Sequence, residues 1–200
     1  MSKKLVLTLS LLLLIAAAVV FATVNFLKTD SDVVAVVNGA KITADEVEEE
    51  YRSLPPELRI ITPKSDALEF VIERKILVQQ AKREGLSYAD EELEEFYRNY
   101  PNLQNVGNGS SLDSLMRKLE DQLLINKLLD KHVPNSFVIK HDEAQRFYAA
   151  SSFPGQNRSF DEVEGLILNM LTEQRLREAR QQYINTLKRQ AKVTIKRTPP

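Results

Sequence analysis

The sequence predicts a mainly α-helical protein with an apolar N-terminal segment and a short β-strand at each end of the folded part. Glycine is scarce, at 6 of 200 residues, whereas Glu, Lys, Arg, Gln and Leu are abundant, a composition typical of helices. Apolar residues recur at helical spacing through most of the chain. Two strand-like runs, Val33–Val37 and Val193–Ile195, stand at opposite ends of the helical part.

The N-terminal segment 5–24 carries no charge and follows Lys3 and Lys4. About 20 apolar residues in a helix span roughly 30 Å, the thickness of the hydrocarbon core of a bilayer. We therefore expect a single transmembrane helix whose basic end stays inside, so that the rest of the chain is extracytoplasmic. A cleaved signal peptide is the alternative, because Val20 and Ala22 fit the small-residue cleavage pattern. Residues 25–32 then form a linker, and residues 33–200 form one folded domain.

The start of this domain carries the signals of a hairpin followed by a capped helix. Asn38-Gly39 favours a tight turn, because both residue types tolerate positive φ, and Ala40–Ile42 is the expected return strand. Thr43 and Glu46 have the spacing of a capping box, in which each residue satisfies a free amide of the other. A helix should therefore begin directly after Thr43.

Helix boundaries further along the chain are marked by proline, glycine and a second capping box. The first helix should end near Leu54, because Pro55-Pro56 cannot continue it. Gly85 is a favourable C-terminal stop for the second helix, and Ser159 with Glu162 opens the last and longest one. The predicted helices after the first are 65–84, 90–100, 112–131, 141–150 and 159–192.

The two strand-like runs are expected to pair with each other. A lone short strand is not stable in water, and Val33–Val37 is the partner in this chain that resembles Val193–Ile195 in length and character. The two ends of the domain should therefore meet. The same strands, exchanged between two copies, would make a homodimer.

Composition and motifs argue against several classes of function. The chain has no cysteine, which excludes a disulfide framework, a thiolate metal site and a thiol nucleophile. Its 27 basic and 28 acidic residues leave no electrostatic footprint for nucleic acid. The acidic clusters at 46–50 and 91–95 are typical of solvated first turns of helices. His132 and His141, the two histidines, stand apart from any catalytic motif.

Aromatic side chains are the stronger hint of a binding function. Ten are spread over several helices, and most are expected in the core, but a small helical domain has limited interior. Those left outside would form apolar patches, which mark binding sites. Two glycosylation sequons begin at Asn108 and Asn157, in predicted loops.

Three stretches, in this order, resemble the SurA-type and PrsA-type extracytoplasmic folding factors. VVAVVNGAKITADEVEEEY (33–51) is similar to the opening strand, turn and acidic helix of that family. LVQQAKREGLSYADEELEEFY (77–97) is similar to the next block, although Ala89 stands where relatives have Thr or Ser, so the cap is weaker or shifts to Ser87. The stretch 159–195 is similar to the returning C-terminal helix and strand.

The chain departs from many relatives by lacking a parvulin prolyl isomerase domain, since the interval 151–158 is too short to hold one. The resemblance therefore implies a chaperone domain without isomerase activity or a cofactor, which binds unfolded or newly translocated polypeptides independently of ATP. A membrane-bound scaffold with one specific folded partner is the alternative, and an isolated isomerase is a third possibility. The candidate contacts for unfolded polypeptides are Tyr51, Leu54, Phe70, Phe96, Tyr97, Met116, Phe147 and Met170.

Overall fold

The computed structural model describes residues 32–99, 112–150 and 158–197, which form seven helices and a three-stranded antiparallel sheet. The mainly helical fold is therefore confirmed. The elements are β1 (Val33–Val37), β2 (Ala40–Thr43), α1 (Ala44–Ser53), α2 (Pro56–Ile61), α3 (Lys64–Arg83), α4 (Asp90–Arg98), α5 (Leu112–His132), α6 (His141–Ala150), α7 (Phe160–Gln190) and β3 (Val193–Ile195).

The apolar segment 5–24, the first sequon and Asn157 of the second sequon lie outside the described residues. Within those residues, no helix combines the length and the apolar character needed to cross a membrane. The expected transmembrane or signal helix therefore stays a prediction.

The chain divides into two compact units, with the boundary inside α3 between Ile72 and Glu73. The first unit contains the sheet, α1, α2 and the start of α3, together with the chain from Lys192 onward. The second unit contains the rest of α3 and α4 to α7. Each unit is described by itself below.

The sheet of the first unit has the order β2-β1-β3, so the N-terminal strand is central. Val37 pairs with Val193 and Ala35 with Ile195, which confirms that the two predicted end strands meet. On the other side, Val37 pairs with Ala40 across a two-residue turn. The central strand is buried, because a strand pairs with it on each side and its side chains are packed.

The predicted local signals around the hairpin are confirmed. Asn38 and Gly39 have φ values of 49° and 88°, the positive values that a type I′ turn requires. Thr43 Oγ1 accepts a hydrogen bond from the Glu46 amide at 3.2 Å, and the Glu46 carboxylate accepts one from the Thr43 amide at 2.9 Å. This reciprocal capping box starts α1 where the sequence indicates.

The helix α2 was not predicted from the sequence, although its surroundings explain it. Pro55-Pro56 ends α1, and Pro56 at the first helical position suits a new helix, because proline has no amide hydrogen to satisfy there. The Tyr51 hydroxyl donates a hydrogen bond of 2.7 Å to the Arg59 carbonyl and thereby ties α2 to α1. A short helix thus fills the interval that the proline pair leaves open.

In the second unit, the predicted stop of α3 is confirmed and one alternative for α4 is wrong. Gly85 adopts φ +71°, and the Leu86 amide donates to the Ala81 carbonyl, which is a Schellman ending. Ala89 itself is the N-cap of α4, so the cap does not shift to Ser87. The Glu92 carboxylate accepts a hydrogen bond of 2.9 Å from the Ala89 amide, and this contact holds the helix start without a side-chain cap.

The cores of both units are aliphatic, and the expectation that most aromatic side chains lie in the core is wrong for the described residues. Valine, isoleucine, leucine and alanine fill the interiors, whereas the described aromatic side chains are half-buried or exposed. Aliphatic side chains occupy the interiors, and rings such as Phe147, Tyr148 and Phe160 pack against them from outside and stay partly exposed. The largest fully buried side chains are Ile42, Ile76, Leu128, Ile167, Val34, Val37, Val47 and Val163.

Candidate functional site

Two helices, α6 and α7, form a small apolar cluster within the second unit. Ala144 of α6 meets Val163 and Ile167 of α7, and all three are buried. Val163 and Ile167 are four positions apart and therefore share one face of α7, and this face packs against α6. Larger side chains surround the cluster and are partly buried: Phe147, Tyr148, Phe160, Leu168 and Leu171.

Polar and aromatic contacts hold α6 against α7. The Tyr148 hydroxyl donates a hydrogen bond of 2.6 Å to the Arg158 carbonyl, just before α7 begins. The Phe160 ring makes edge-to-face contacts with the rings of His141 and Tyr148, and the ring centroids are 5.3 Å and 5.7 Å apart. Such edge-to-face pairs add to the burial of the rings. Farther along, Arg175 and Glu143 form an ion pair of 2.7 Å, so α6 is attached to α7 at both ends.

A surface pocket of about 350 Å³ opens beside this cluster. Phe147 and Met170 provide its apolar part, and polar groups of α7 form its rim. Met170 is 40% exposed, and Leu166, one turn earlier on α7, is 51% exposed. Apolar side chains thus remain uncovered on α7 directly beside the packed stripe of Val163 and Ile167. The lining residues are Phe147, Asn169, Met170, Glu173, Gln174 and Arg177.

The pocket has the chemistry to receive an apolar side chain of another polypeptide. Methionine is unbranched and flexible, so its side chain adapts to partners of different shape. The rim carries amides and charges of both signs, namely Asn169, Gln174, Glu173 and Arg177, which can meet polar backbone groups. This arrangement favours broad rather than shape-specific recognition.

Two of the eight candidate contact residues, Phe147 and Met170, are brought together at this pocket. Phe96, Tyr97 and Met116 also belong to the second unit, on α4 and α5, and are half-buried. Burial raises the pKa of Tyr97, first of all by desolvating its hydroxyl. That hydroxyl has no hydrogen-bond partner in the described part of the chain.

The other three candidates belong to the first unit. Phe70 is exposed on α3, whereas Tyr51 and Leu54 are half-buried at the end of α1. Tyr51 is occupied by its hydrogen bond to Arg59, and Lys64 Nζ lies 5.9 Å from the centre of its ring. The structure therefore gives Tyr51 a role in joining α1 to α2, in addition to any contact with a partner.

Sequence reasoning missed three exposed apolar residues of the first unit. Leu58, Ile60 and Ile61 lie on α2, where no residue is buried, and Ile60 is 85% exposed. A signal was present, since three apolar residues fall within four positions between Pro55-Pro56 and Pro63. The run is too short to form an apolar stripe along a helix. Its apolar side chains therefore stay on the surface.

The acidic clusters considered from the sequence have structural roles in the described residues. Glu46 and Glu92 cap helices, and Glu48 forms ion pairs with Arg52 at 2.8 Å and Lys64 at 3.0 Å. These contacts, led by the hydrogen bond from Lys64, hold the pKa of Glu48 below its usual value. Within the described ranges, no group of three or more potential metal ligands occurs.

The histidines also make structural contacts. His132 Nε2 lies 2.8 Å from Glu84 Oε2, and its ring stacks on Tyr183 at 4.8 Å between centroids. Lys131 and Gln80 reach the same carboxylate, and together these contacts lower the pKa of Glu84 to about 2. The ends of α3 and α5 and the C-terminal part of α7 therefore meet at one polar node in the second unit.

In the described residues, seven helices in two units and a sheet that pairs β1 with β3 define a mainly helical protein with apolar side chains at its surface. The family model described as SurA-like N-terminal domain matches residues 1–141, and the chain belongs to this family. The match ends where α6 begins, so the pocket on α6 and α7 lies beyond it.

The chain is also similar to a curated relative, the foldase protein PrsA of Caldanaerobacter subterraneus subsp. tengcongensis. The two sequences are 29% identical over 136 residues, which cover 58% of this chain. The match covers 42% of the relative, so the chain spans less than half of that protein's length. The resemblance to SurA-type and PrsA-type folding factors is thus confirmed at the level of the family.

Proposed function

We propose that this protein is a membrane-tethered, extracytoplasmic, ATP-independent chaperone that binds unfolded or newly translocated polypeptides. The observation that carries the proposal is the pocket beside the α6–α7 cluster, where Phe147 and Met170 face a polar rim and Leu166 is exposed nearby. Apolar side chains that stay uncovered in a folded unit are suited to transient burial by a partner. The proposed role needs no cofactor and no catalytic residue.

Membership of the SurA-like N-terminal family supports a role in protein folding. The relative named as a foldase supports it further, although that protein is much longer than the matched region. The uncharged segment 5–24 after Lys3 and Lys4 supports the proposed tether and the extracytoplasmic location. A chaperone at this place would meet chains as they emerge from the membrane.

The apolar residues of α2 supply a second surface of the same kind in the first unit. Ile60 and Ile61 are largely exposed, and Phe70 on α3 is 45% exposed. Several weak apolar contacts, distributed over the molecule, would bind unfolded segments without selecting one sequence. We include this surface in the proposal beside the candidates Tyr51, Leu54, Phe96, Tyr97 and Met116.

The test is suppression of aggregation by the full chain reconstituted in nanodiscs. A chemically unfolded, aggregation-prone client is diluted into buffer, and its light scattering is followed at equimolar and higher ratios of chaperone, with empty nanodiscs as the background. The wild type should lower the scattering without ATP. The double variant Leu166→Ser/Met170→Ser should suppress less, because it removes two exposed apolar groups and leaves the buried cluster intact.

Arg180→Ser is the matched control, since Arg180 is also exposed on α7 but is polar. It should behave as the wild type, and circular dichroism should show equal helix content in all three proteins. No suppression by a folded wild type would overturn the proposal. Crosslinking in cells distinguishes a chaperone from the alternative, a membrane-bound scaffold. Many unrelated unfolded clients support a chaperone, whereas one stoichiometric folded partner supports a scaffold.

A further inference from the structure

The strand β3 forms an open edge of the sheet in the first unit. The sheet order is β2-β1-β3, and in the parts of the chain that the structure describes no strand pairs with the far side of β3. An open edge presents backbone donors and acceptors that can pair with another strand.

The hydrogen-bond register shows which backbone groups point outward. The Asn38 amide donates to the Lys192 carbonyl at 2.9 Å, and the Lys196 amide donates to the Val34 carbonyl at 2.8 Å. Backbone groups of an antiparallel pair alternate between facing the partner and facing away. Residues 192, 194 and 196 therefore bond to β1, whereas Val193 and Ile195 direct their amides and carbonyls to the open side.

The side chains of Val193 and Ile195 extend the apolar face of the sheet to this edge. They stand opposite Val37 and Ala35, both of which are fully buried. Val193 is nevertheless 37% exposed and Ile195 is 53% exposed. A further strand would cover both side chains and place its own alternate residues next to them.

The charge around the edge indicates which kind of strand fits. Lys192, Lys196 and Arg197 flank the two apolar residues and are exposed, and no acidic residue occurs between 192 and 197. Arg197 forms an ion pair of 3.8 Å with Asp32, so Lys192 and Lys196 provide most of the positive charge at this edge. A second copy pairing β3 with β3 would bring cations close to cations, which is unfavourable. An acidic segment would instead be attracted.

We propose that the outer edge of β3 binds an extended polypeptide segment that has apolar residues at alternate positions and Asp or Glu at its ends. The segment adds a fourth strand to the sheet, hydrogen-bonded to Val193 and Ile195, with its carboxylates near Lys192, Lys196 and Arg197. Backbone pairing supplies the affinity, and the charges set the preference. With so short a strand, binding is weak and falls as salt rises.

The experiment uses a fluorescein-labelled peptide of alternating Val and Thr with an Asp at each end, titrated with the full chain in nanodiscs of neutral lipid. Fluorescence anisotropy reports binding. Ile195→Pro removes an outward amide, and proline is tolerated on the open side of an edge strand, so pairing with β1 is kept. This variant should raise the Kd of the peptide roughly tenfold, because one backbone hydrogen bond is lost and the adjacent ones are less well aligned.

Peptide variants make the test independent of the folding of the protein variant. N-methylation at the alternate residues that face β3 should abolish binding, whereas methylation at the other set should leave it intact. Replacing both Asp residues by Lys should weaken binding and reverse its salt dependence, because salt then screens a repulsion. Ile195→Thr keeps the amide but shortens the apolar contact, and its Kd should lie between those of the wild type and Ile195→Pro.

Three outcomes would overturn the proposal: no binding of the acidic peptide, equal binding of both N-methylated forms, or an unchanged Kd in a folded Ile195→Pro variant. Self-association that Ile195→Pro removes would assign the edge to a second copy of the chain instead. Leu166→Ser/Met170→Ser should leave peptide binding unchanged and lower aggregation suppression. Failure of this proposal is therefore distinguishable from failure of the chaperone proposal.

Discussion

Asn38 and Lys192 exchange two hydrogen bonds across 154 positions of sequence. The Asn38 amide donates to the Lys192 carbonyl at 2.9 Å, and the Lys192 amide donates to Asn38 Oδ1 at 2.8 Å. Asn38 is also the first residue of the β1–β2 turn, with φ 49°. One side chain thus serves both the tight turn and the docking of the returning chain next to β3.

Substitutions at Asn38 should separate these two roles. Asn38→Gly keeps the positive φ but loses the side-chain acceptor, and we expect a loss of about 1 kcal/mol in the free energy of unfolding. Asn38→Ala loses the acceptor and also strains the turn, which adds roughly 1 kcal/mol. Denaturation by urea, followed by circular dichroism, measures both changes.

Asn38→Asp is the matched control, because it keeps an acceptor at the same place and tolerates the left-handed region. Its unfolding should be close to that of the wild type. Equal stability of the Gly and Asp variants would show that the contact with Lys192 contributes nothing.

The same substitution, Gly to Ala, should have opposite effects at two positions. Gly85 has φ +71° at the end of α3, and Ala there is strained by about 1 kcal/mol, although space is open around it. Gly165 lies inside α7, also in open space, and Ala there should stabilise by roughly 0.5–1 kcal/mol. Urea midpoints that move the same way in both variants would contradict this account.

Much of the local structure was predictable from the sequence, because it depends on only a few adjacent residues. The turn at Asn38-Gly39, the cap at Thr43 and the stop at Gly85 each depend on the backbone preferences of one or two residues. The pairing of β1 with β3 was also predictable, since neither strand is stable without a partner. These signals set the ends of helices and the closure of the sheet.

The candidate site was less predictable, because an apolar residue has the same sequence signal whether it is buried or exposed. Phe147 and Met170 were selected individually, but their meeting at one pocket depends on the packing of α6 against α7. Ile60 and Ile61 were not selected, since α2 is too short to show a periodic pattern. Contacts such as Glu84 with His132, 48 positions apart, follow from tertiary structure alone.

A side-chain cap should improve the start of α4. Ala89 occupies the N-cap with extended backbone angles but has no group to accept the free amides of the first turn. Ala89→Ser supplies a hydroxyl within reach of those amides, and we expect a gain of about 0.5–1 kcal/mol. Urea unfolding measures the change.

Thr43→Ala is the reverse control for this prediction. It removes the acceptor for the Glu46 amide at the start of α1 and should cost about 1 kcal/mol. A loss at Thr43 without a gain at Ala89 would mean that the Glu92 contact already satisfies the first turn of α4.

The polar node at Glu84 should make stability depend on pH in the acidic range. Its carboxylate accepts hydrogen bonds from Lys131 and His132, each at 2.8 Å, and from Gln80 at 2.7 Å. These contacts, in that order of importance, lower the pKa of Glu84 from its usual 4.5 to about 2. Because the folded state favours the ionised form, the stabilisation is fully present above pH 4.5 and is lost as the pH falls toward 2.

Glu84→Gln tests this dependence, since it removes the charge and nearly keeps the shape. At pH 7 we expect a loss of about 1 kcal/mol, the scale of a surface ion pair, because Lys131 and His132 are substantially exposed. Urea unfolding from pH 7 down to about 2 should show the difference from the wild type shrinking below pH 4.5. Glu178→Gln, at an exposed glutamate that accepts from Gln174, should show little difference throughout. A constant deficit in Glu84→Gln at every pH would assign the effect to side-chain packing and not to the charge.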